Sequence, residues 1–508
     1  MTSNEWWAIA PFLIVSGLAI LVVLVDMLWP RRTRIVMGVS IVGLLLAIGV
    51  TWTAGPLMGG GGQLPATGQA VFNGTYVQDQ FTVFLDLLFM CIALLTILFA
   101  PDYLEPRGLP MGEFTATLLF AISGGMLLAG GRDILILFLG LELLVLPGYL
   151  LAGFAKRDGL STEGAIKYFL LGSFSSAILL FGLAFVFGYT GTTNIEQIGE
   201  HLGAVVNGFT PLPVALGLGL ALITAGAGFK IAAVPFHYWT PDAYQGSPTP
   251  VTGYLSVGPK VAAFSLVLLL FVDALGPLRD DWWPLIWVLA AITMTVGNLA
   301  ALGQDNIKRM LAYSAIAHTG YIMVGLAVYG GVSDQSIAED GISGVLFYLA
   351  AYAFMNLGAF ACVAALQRKP GVTSQITSFA GLGKRAPLLG VTFTLFLLSL
   401  VGIPPTAGFW GKAMILVSAV EGGGWFTVLA VIMMLNATAA AFYYLRVVVS
   451  MYMRDEPDGA RSVTLGVPTR AGLIIAALAV VGIGLVPSIT QSILDWTLVA
   501  ARSLIGTA

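Results

Sequence analysis

Charge is what this sequence has least of. Asp, Glu, Lys and Arg make up 10% of its 508 residues, where a soluble domain carries about 25%. No segment is both long and polar enough to fold as a separate soluble domain. The 23 basic and 26 acidic side chains leave a formal net charge of −3, which argues against a nucleic-acid partner. Cysteine is nearly missing too. Cys91 and Cys362 both sit in apolar runs. An iron–sulfur cluster needs about four thiolates, so the chain holds none by itself, and a disulfide framework is equally excluded. Two buried small hydrophobes is the plain reading. Nucleotide-binding loops, nucleophile constellations and metal-ligand clusters are likewise missing, which speaks against a standalone enzyme. The first residues, Met-Thr-Ser-Asn-Glu-Trp-Trp, lack the positive region of a secretory signal. The first helix is therefore expected to be retained, with Trp6 and Trp7 as interfacial anchors.

What is present is hydrophobic length. The composition is 58% hydrophobic and the mean hydropathy is +0.91. Runs near twenty residues, enough to cross a bilayer core, recur from end to end. The expected fold is an all-α polytopic membrane protein of about fourteen transmembrane helices, over 7–29, 35–54, 80–100, 112–130, 133–154, 165–189, 212–239, 250–272, 284–303, 309–330, 341–366, 387–420, 425–451 and 470–497. Fifteen of the 23 Lys and Arg residues fall in connections after odd-numbered runs, among them Arg31, Arg107, Lys156, Arg157, Lys308, Lys369 and Arg461. Three, Arg132, Arg279 and Arg502, fall after even-numbered runs or in the tail. The positive-inside rule then places both termini on the outer face.

Two runs are interrupted. Residues 226–260 carry prolines at 235, 241, 248, 250 and 259, together with Lys230, His237 and Lys260. Proline removes a backbone donor and clashes with the preceding turn. A broken helix survives in lipid only where protein or a water-filled cavity satisfies the freed groups. The run over 387–420 would be about 50 Å long as one straight helix, against about 30 Å of hydrocarbon. The string Gly-Ile-Pro-Pro-Thr-Ala-Gly-Phe-Trp-Gly-Lys at 402–412 predicts a break at Pro404–Gly408, beside Lys412. Interrupted helices at matching places in two halves point to a transport site. The seventh and twelfth helices lie five apart, so helices 4–8 and 9–13 are expected to be two inverted five-helix repeats. The expected divisions are 1–110 for three N-terminal helices, 111–272 and 273–452 for the repeats, and 453–508 for a C-terminal helix.

Ionisable groups deep in such a chain are costly and mark ion or proton paths. Glu142 lies about eight residues, or 12 Å, into the fifth helix and needs a partner. Lys230, beside the first break, is the expected proton-carrying base, loaded or unloaded as Glu142 approaches or withdraws. Lys260 falls near mid-membrane and Lys412 beside the second break. Lys167 is only one or two turns inside its helix and can either relay or snorkel; Ser173, Ser175 and Ser176 follow it. His237 and His318 suit proton relay; a haem ligated by the two is the weaker rival. Asp26 reads as interfacial, Asp86 as relay or packed polar group, and Arg446 as snorkelling or paired.

Four strings resemble subunit N of bacterial respiratory complex I, an NADH-quinone oxidoreductase, within the antiporter-like membrane subunit family. They are Phe-Leu-Gly-Leu-Glu-Leu-Leu at 138–144, the stretch from Gly228 to Pro250 containing Pro-Phe-His-Tyr-Trp-Thr-Pro-Asp, Lys-Arg-Met-Leu-Ala-Tyr-Ser-Ala-Ile-Ala-His-Thr-Gly-Tyr at 308–321, and the 402–412 string. The resemblance runs over essentially the whole chain. It implies fourteen helices with broken seventh and twelfth, one proton channel, and proton-transfer roles for Glu142, Lys230, Lys260 and Lys412. Lys167 and His237 match further polar positions, and His318 a position that is histidine or glutamine among relatives. It also implies a translocase subunit with no redox centre of its own, beside other membrane-arm subunits in the bacterial cytoplasmic membrane. FMN, iron–sulfur clusters, NADH and quinone would belong to partner subunits. A cation/proton antiporter or hydrogenase membrane-arm subunit on the same fold is the alternative, and a passive scaffold a third reading.

Overall fold

The computed structural model describes residues 3–53, 68–208, 212–368, 371–456 and 463–506. Lys369 and Arg461, named above, lie outside them, as do residues 1–2 and 54.

The chain is helical almost throughout. In order come α1 (Ser3–Leu28), α2 (Thr33–Trp52), a two-stranded antiparallel hairpin of β1 (Gln69–Val71) and β2 (Tyr76–Gln78), α3 (Gln80–Phe99), the single turn α4 (Pro101–Leu104), α5 (Met111–Gly130), α6 (Ile134–Ala152), α7 (Gly159–Thr190) and α8 (Ile195–Gly208). There follow α9 (Val214–Lys230), α10 (Trp239–Gly246), α11 (Thr249–Leu268), α12 (Arg279–Leu302), α13 (Ile307–Gly331) and α14 (Gln335–Leu366). The last are the single turn α15 (Leu382–Arg385), α16 (Pro387–Val401), α17 (Ala407–Glu421), α18 (Gly424–Met453), α19 (Val467–Leu485) and α20 (Pro487–Ile505). Helix starts follow the sequence closely. Asp79, Asp133, Asp158 and Asp334 each accept from a backbone N–H in the first turn of the next helix, and Asn306 accepts from two, as N-cap side chains do.

Among the described residues twelve helices are long and apolar enough to cross a membrane. Two shorter apolar helices, α9 and α16, end at breaks. The expected interruptions are therefore present. The first spans Ile231–Tyr238, between α9 and α10; the second spans Gly402–Thr406, between α16 and α17.

The last apolar run is different from its expectation. Instead of one helix over 470–497, α19 stops at Leu485 and α20 starts at Pro487. Pro487 cannot continue the α19 ladder, since it has no N–H to donate. The side chains α20 exposes include Gln491, Ser492, Asp495 and Arg502, while Trp496, Thr497, Ala500, Ala501 and Leu504 are buried. A polar outer face of this kind suits an aqueous edge. Trp496 packs edge-on against Phe84 at 5.3 Å and Trp52 at 6.0 Å, and Arg502 pairs with Glu339 at 2.8 Å.

Burial ranks the helices. α11, α13 and α14 are enclosed along nearly their whole length, and α3 is almost as deep. α2, α7, α18 and α19 turn an apolar face outward. Leu135, Leu139, Leu146 and Leu150 make such a stripe on α6. The deepest helices carry Lys260, His318, Tyr348, Tyr352 and Asn356, so the most polar side chains sit in the middle of the most apolar shell.

Both breaks are chemically closed. In the first, Ala232 takes a positive φ of 60°. Val234 N donates to Thr293 Oγ1 of α12 at 3.0 Å, and Ile231 O accepts from Thr319 Oγ1 of α13 at 2.8 Å. Trp239 Nε1 donates to Phe229 O at 3.2 Å. In the second, Gly402 has a φ of 91°, a left-handed conformation that glycine takes without steric cost. Gly408 lies so close to Ser399 that a Cβ there would collide with its carbonyl.

Candidate functional site

Lys230 ends α9, where unsatisfied carbonyls give the half-helix a negative end that favours a cation. Its Nζ donates to Ser176 Oγ at 2.7 Å and to Gly172 O at 3.3 Å, both on α7. Glu142 does not form an ion pair with Lys230. Its Oε1 is buried without a hydrogen-bond partner. A cavity of about 10 Å³ lies between Lys230, Tyr168, Trp239, Pro259 and Ala263, room for about one water. Pro259 precedes Lys260, so the cavity spans the gap between the two lysine-bearing helices.

Lys260 is held from α13. Its Nζ donates to the carbonyl of Ala315 and to Thr319 Oγ1 at 2.7 Å. The Thr319 hydroxyl then donates into the first break at Ile231. Lys260 thus connects to the residue after Lys230 through one side chain.

His318 stands next. Its Nδ1 lies 2.6 Å from Tyr348 Oη and its Nε2 3.2 Å from Tyr444 Oη. Tyr444 also hydrogen-bonds Ser314. A phenol can donate or accept, so the ring can be neutral or charged with no heavy atom moving. Tyr352 separates His318 from Lys260, its ring centroid 5.1 Å from the imidazole and 5.3 Å from Lys260 Nζ. Tyr321 separates His318 from Lys412 in the same way, at 5.5 Å and 4.9 Å.

Lys412 folds back on the second break. Its Nζ donates to Leu400 O at 2.9 Å and Val401 O at 2.7 Å, the last carbonyls of α16. These acceptors have no partner inside the helix. Lys230, Lys260, His318 and Lys412 are all buried, and they form a line from the first break to the second.

A model of the NADH:quinone oxidoreductase/Mrp antiporter transmembrane family matches residues 131–436, which contains all of this line. The NADH-quinone oxidoreductase subunit N 1 of Koribacter versatilis is 40% identical over 98% of this chain and 96% of its own. A subunit N 2 of Roseiflexus castenholzii is 41% identical over 95% and 94%. The chain belongs to this family. A chain of respiratory complex I from Thermus thermophilus superposes with a TM-score of 0.76 at 30% identity, covering 95% of this chain and 98% of that one. A chain of the Mrp complex from Dietzia shares the fold alone, with a TM-score of 0.81 at 20% identity over 99% and 98%.

The remaining expected positions of this antiporter-like subunit fall into separate places. His237 lies inside the first break, stacked on Tyr238 at 4.9 Å, with Nδ1 buried and unpartnered. Lys167 is apart from the buried line. It pairs with Glu163 at 2.6 Å and with Asp242 at 2.7 Å, its side chain 42% exposed. Asp86 is fully enclosed with neither carboxylate oxygen partnered. Arg446 is paired: it donates to the carbonyls of Leu302 and Gln304 and lies 3.7 Å from Asp305.

Sequence reasoning missed three groups. Asp242 joins Lys167 and Arg309, each at 2.7 Å; it stood in the quoted 228–250 string but drew no attention as an acid. Lys308, counted as a loop charge, is buried and donates to Gln245 O and Ser247 O at 2.9 and 2.5 Å. The network of Asn298, Asn436, Tyr321 and Tyr443 had no sequence signal beyond the polarity of its asparagines.

Proposed function

We propose that this chain is the proton-translocating, antiporter-like membrane subunit of an NADH-quinone oxidoreductase, driven by electron transfer in partner subunits. The observation that carries it is the buried line of basic groups bridging the two helix breaks. Three ammonium groups in an apolar interior are costly unless each can be solvated by the chain and relieved of its proton. Here each has carbonyl or hydroxyl acceptors, and hydroxyl-bearing or aromatic side chains stand between them.

In this reading Lys230 takes up a proton as Glu142 swings nearer and gives it up as Glu142 withdraws. Lys260 receives it across the small cavity or through Thr319, His318 carries it between the two tyrosine rings, and Lys412 releases it at the second break. Fourteen crossings follow if α9–α10 and α16–α17 each count as one interrupted crossing. Residues 111–272 and 273–452 are then inverted five-helix repeats, each bearing one break. The chain spans a bacterial cytoplasmic membrane with both termini on the outer face, beside other membrane-arm subunits, with protons as cargo and lipid around its apolar stripes. NADH, FMN, iron–sulfur clusters and quinone belong to the partners. Relatives near 40% identity over almost the full length favour this reading over a cation/proton antiporter on the same fold.

The test is proton pumping by the assembled complex carrying Lys230→Met or Glu142→Ala. Both are expected to lower the proton-to-electron ratio while assembly persists. A normal ratio in both would overturn the assigned roles.

A further inference from the structure

We propose that Asp242 is a positioning residue for proton transfer at Lys230, fixing α10 so that Trp239 closes the cavity beside the Lys230 ammonium. The proposal rests on the proton-transfer reading of Lys230.

α10 has eight residues, too few to hold a helix unaided, so its position is set by what grips it. Asp242 is gripped from both sides. Its Oδ2 accepts from Lys167 Nζ of α7 and its Oδ1 from Arg309 Nη1 of α13, both at 2.7 Å. The far end is gripped by Lys308, whose Nζ donates to Gln245 O and Ser247 O. Arg309 adds a contact to Gln245 Oε1 at 3.1 Å.

Trp239 stands three residues before Asp242, hence one turn along the same face. The two meet adjacent residues of α7: Asp242 meets Lys167, and Trp239 stacks on Tyr168 at 4.4 Å with an interplanar angle of 11°. The indole also lies 5.5 Å from Phe229 and donates to its carbonyl. Trp239 is a wall of the cavity that Lys230 and Ala263 line. Displacing Asp242 therefore displaces the wall.

The grip is releasable. Asp242, Lys167 and Arg309 keep 31%, 42% and 31% of their side chains exposed, and ion pairs so wetted contribute little each. Buried pairs elsewhere in the chain, such as Arg132 with Asp79, lack that property. Lys167 is then a holder of α10, separate from the buried line.

The experiment uses the assembled complex in membranes, with Cys91 and Cys362 replaced by alanine and a reporter A263C introduced. A small charged methanethiosulfonate is presented on the side where Lys156, Arg157 and Lys308 lie. With Asp242 intact, A263C is expected to react slowly. With D242N the rate should rise about tenfold, the scale of losing two wetted ion pairs, and the proton-to-electron ratio should fall; D242E should restore both. If D242N does not assemble, the double variant K167M/R309Q releases the same grip and should give the same increase. Unchanged labelling in the assembled variant, no rescue by D242E, or failure of both variants to assemble would each overturn the proposal. Labelling is read without pumping. A normal ratio in K230M alongside charge-dependent labelling would remove the Lys230 reading and leave the grip of Asp242 standing.

Discussion

The hydroxyl of Thr319 donates to the carbonyl of Ile231 at 2.8 Å. The same oxygen accepts from Lys260 Nζ at 2.7 Å. One threonine therefore seals the backbone of the first break and anchors the lysine on the neighbouring helix. Thr319→Val keeps the shape and removes both bonds. A lost hydrogen bond to a buried charged group costs about 1.5–3 kcal/mol. Pumping by the assembled complex should fall with Thr319→Val and persist with Thr319→Ser. Equal pumping in the two would show that the hydroxyl is dispensable.

Lys412 offers a cleaner separation of structure from chemistry. Lys412→Arg can still donate to Leu400 O and Val401 O, but a guanidinium does not release its proton in a protein. The arginine variant should assemble normally and pump poorly. Lys412→Met should lose assembly as well, because two carbonyls are left bare at about 1–3 kcal/mol each. The amount of complex recovered and its proton-to-electron ratio check both arms.

At His318 the decisive comparison is glutamine against leucine. Glutamine can bond Tyr348 and Tyr444 without titrating, while leucine can do neither. If His318 itself carries the proton, both variants should slow turnover by at least roughly a hundredfold, the low end for acid–base groups. We expect that loss in both; glutamine staying within roughly tenfold of the native rate would show instead that the two phenols pass the proton by way of water without a titrating ring. Steady-state pumping rates at matched electron flux decide it.

Arg132 and Asp79 make a stability prediction away from the proton path. Their contact is 2.6 Å with side chains 10% and 4% exposed, and Arg132 also donates to Ala129 O and Gly131 O. Removing one partner of such a pair costs about 3–5 kcal/mol. Asp79→Asn and Arg132→Gln should each lower the thermal stability of the purified complex clearly, with the proton-to-electron ratio unchanged in whatever remains assembled.

Much of this is legible in the sequence. Long apolar runs gave the spans. Proline with glycine gave both breaks, and a lysine in an apolar run announced its own importance because its cost has to be met. What escaped was the identity of the partners. Ser176 lies 54 positions from Lys230 and Thr319 lies 59 from Lys260, and nothing local marks a threonine as the one that will face a given ammonium. Asp242 was overlooked for another reason: its neighbours are polar enough that an acid there reads as ordinary loop chemistry. The split at Pro487 was overlooked because Ile489, Ile493, Leu494 and Trp496 keep the run apolar past the proline. Trp496 lies on the buried face of a new helix while Ile489 is exposed, and average hydropathy is blind to direction.

The first interruption is sealed by hydroxyls of Thr293 and Thr319, which arrive from later in the chain. A fragment ending before α12 would carry naked amide and carbonyl groups into hydrocarbon at that point. Co-translational insertion thus leaves an unfinished wound in the membrane until α12 and α13 emerge from the ribosome and dress it.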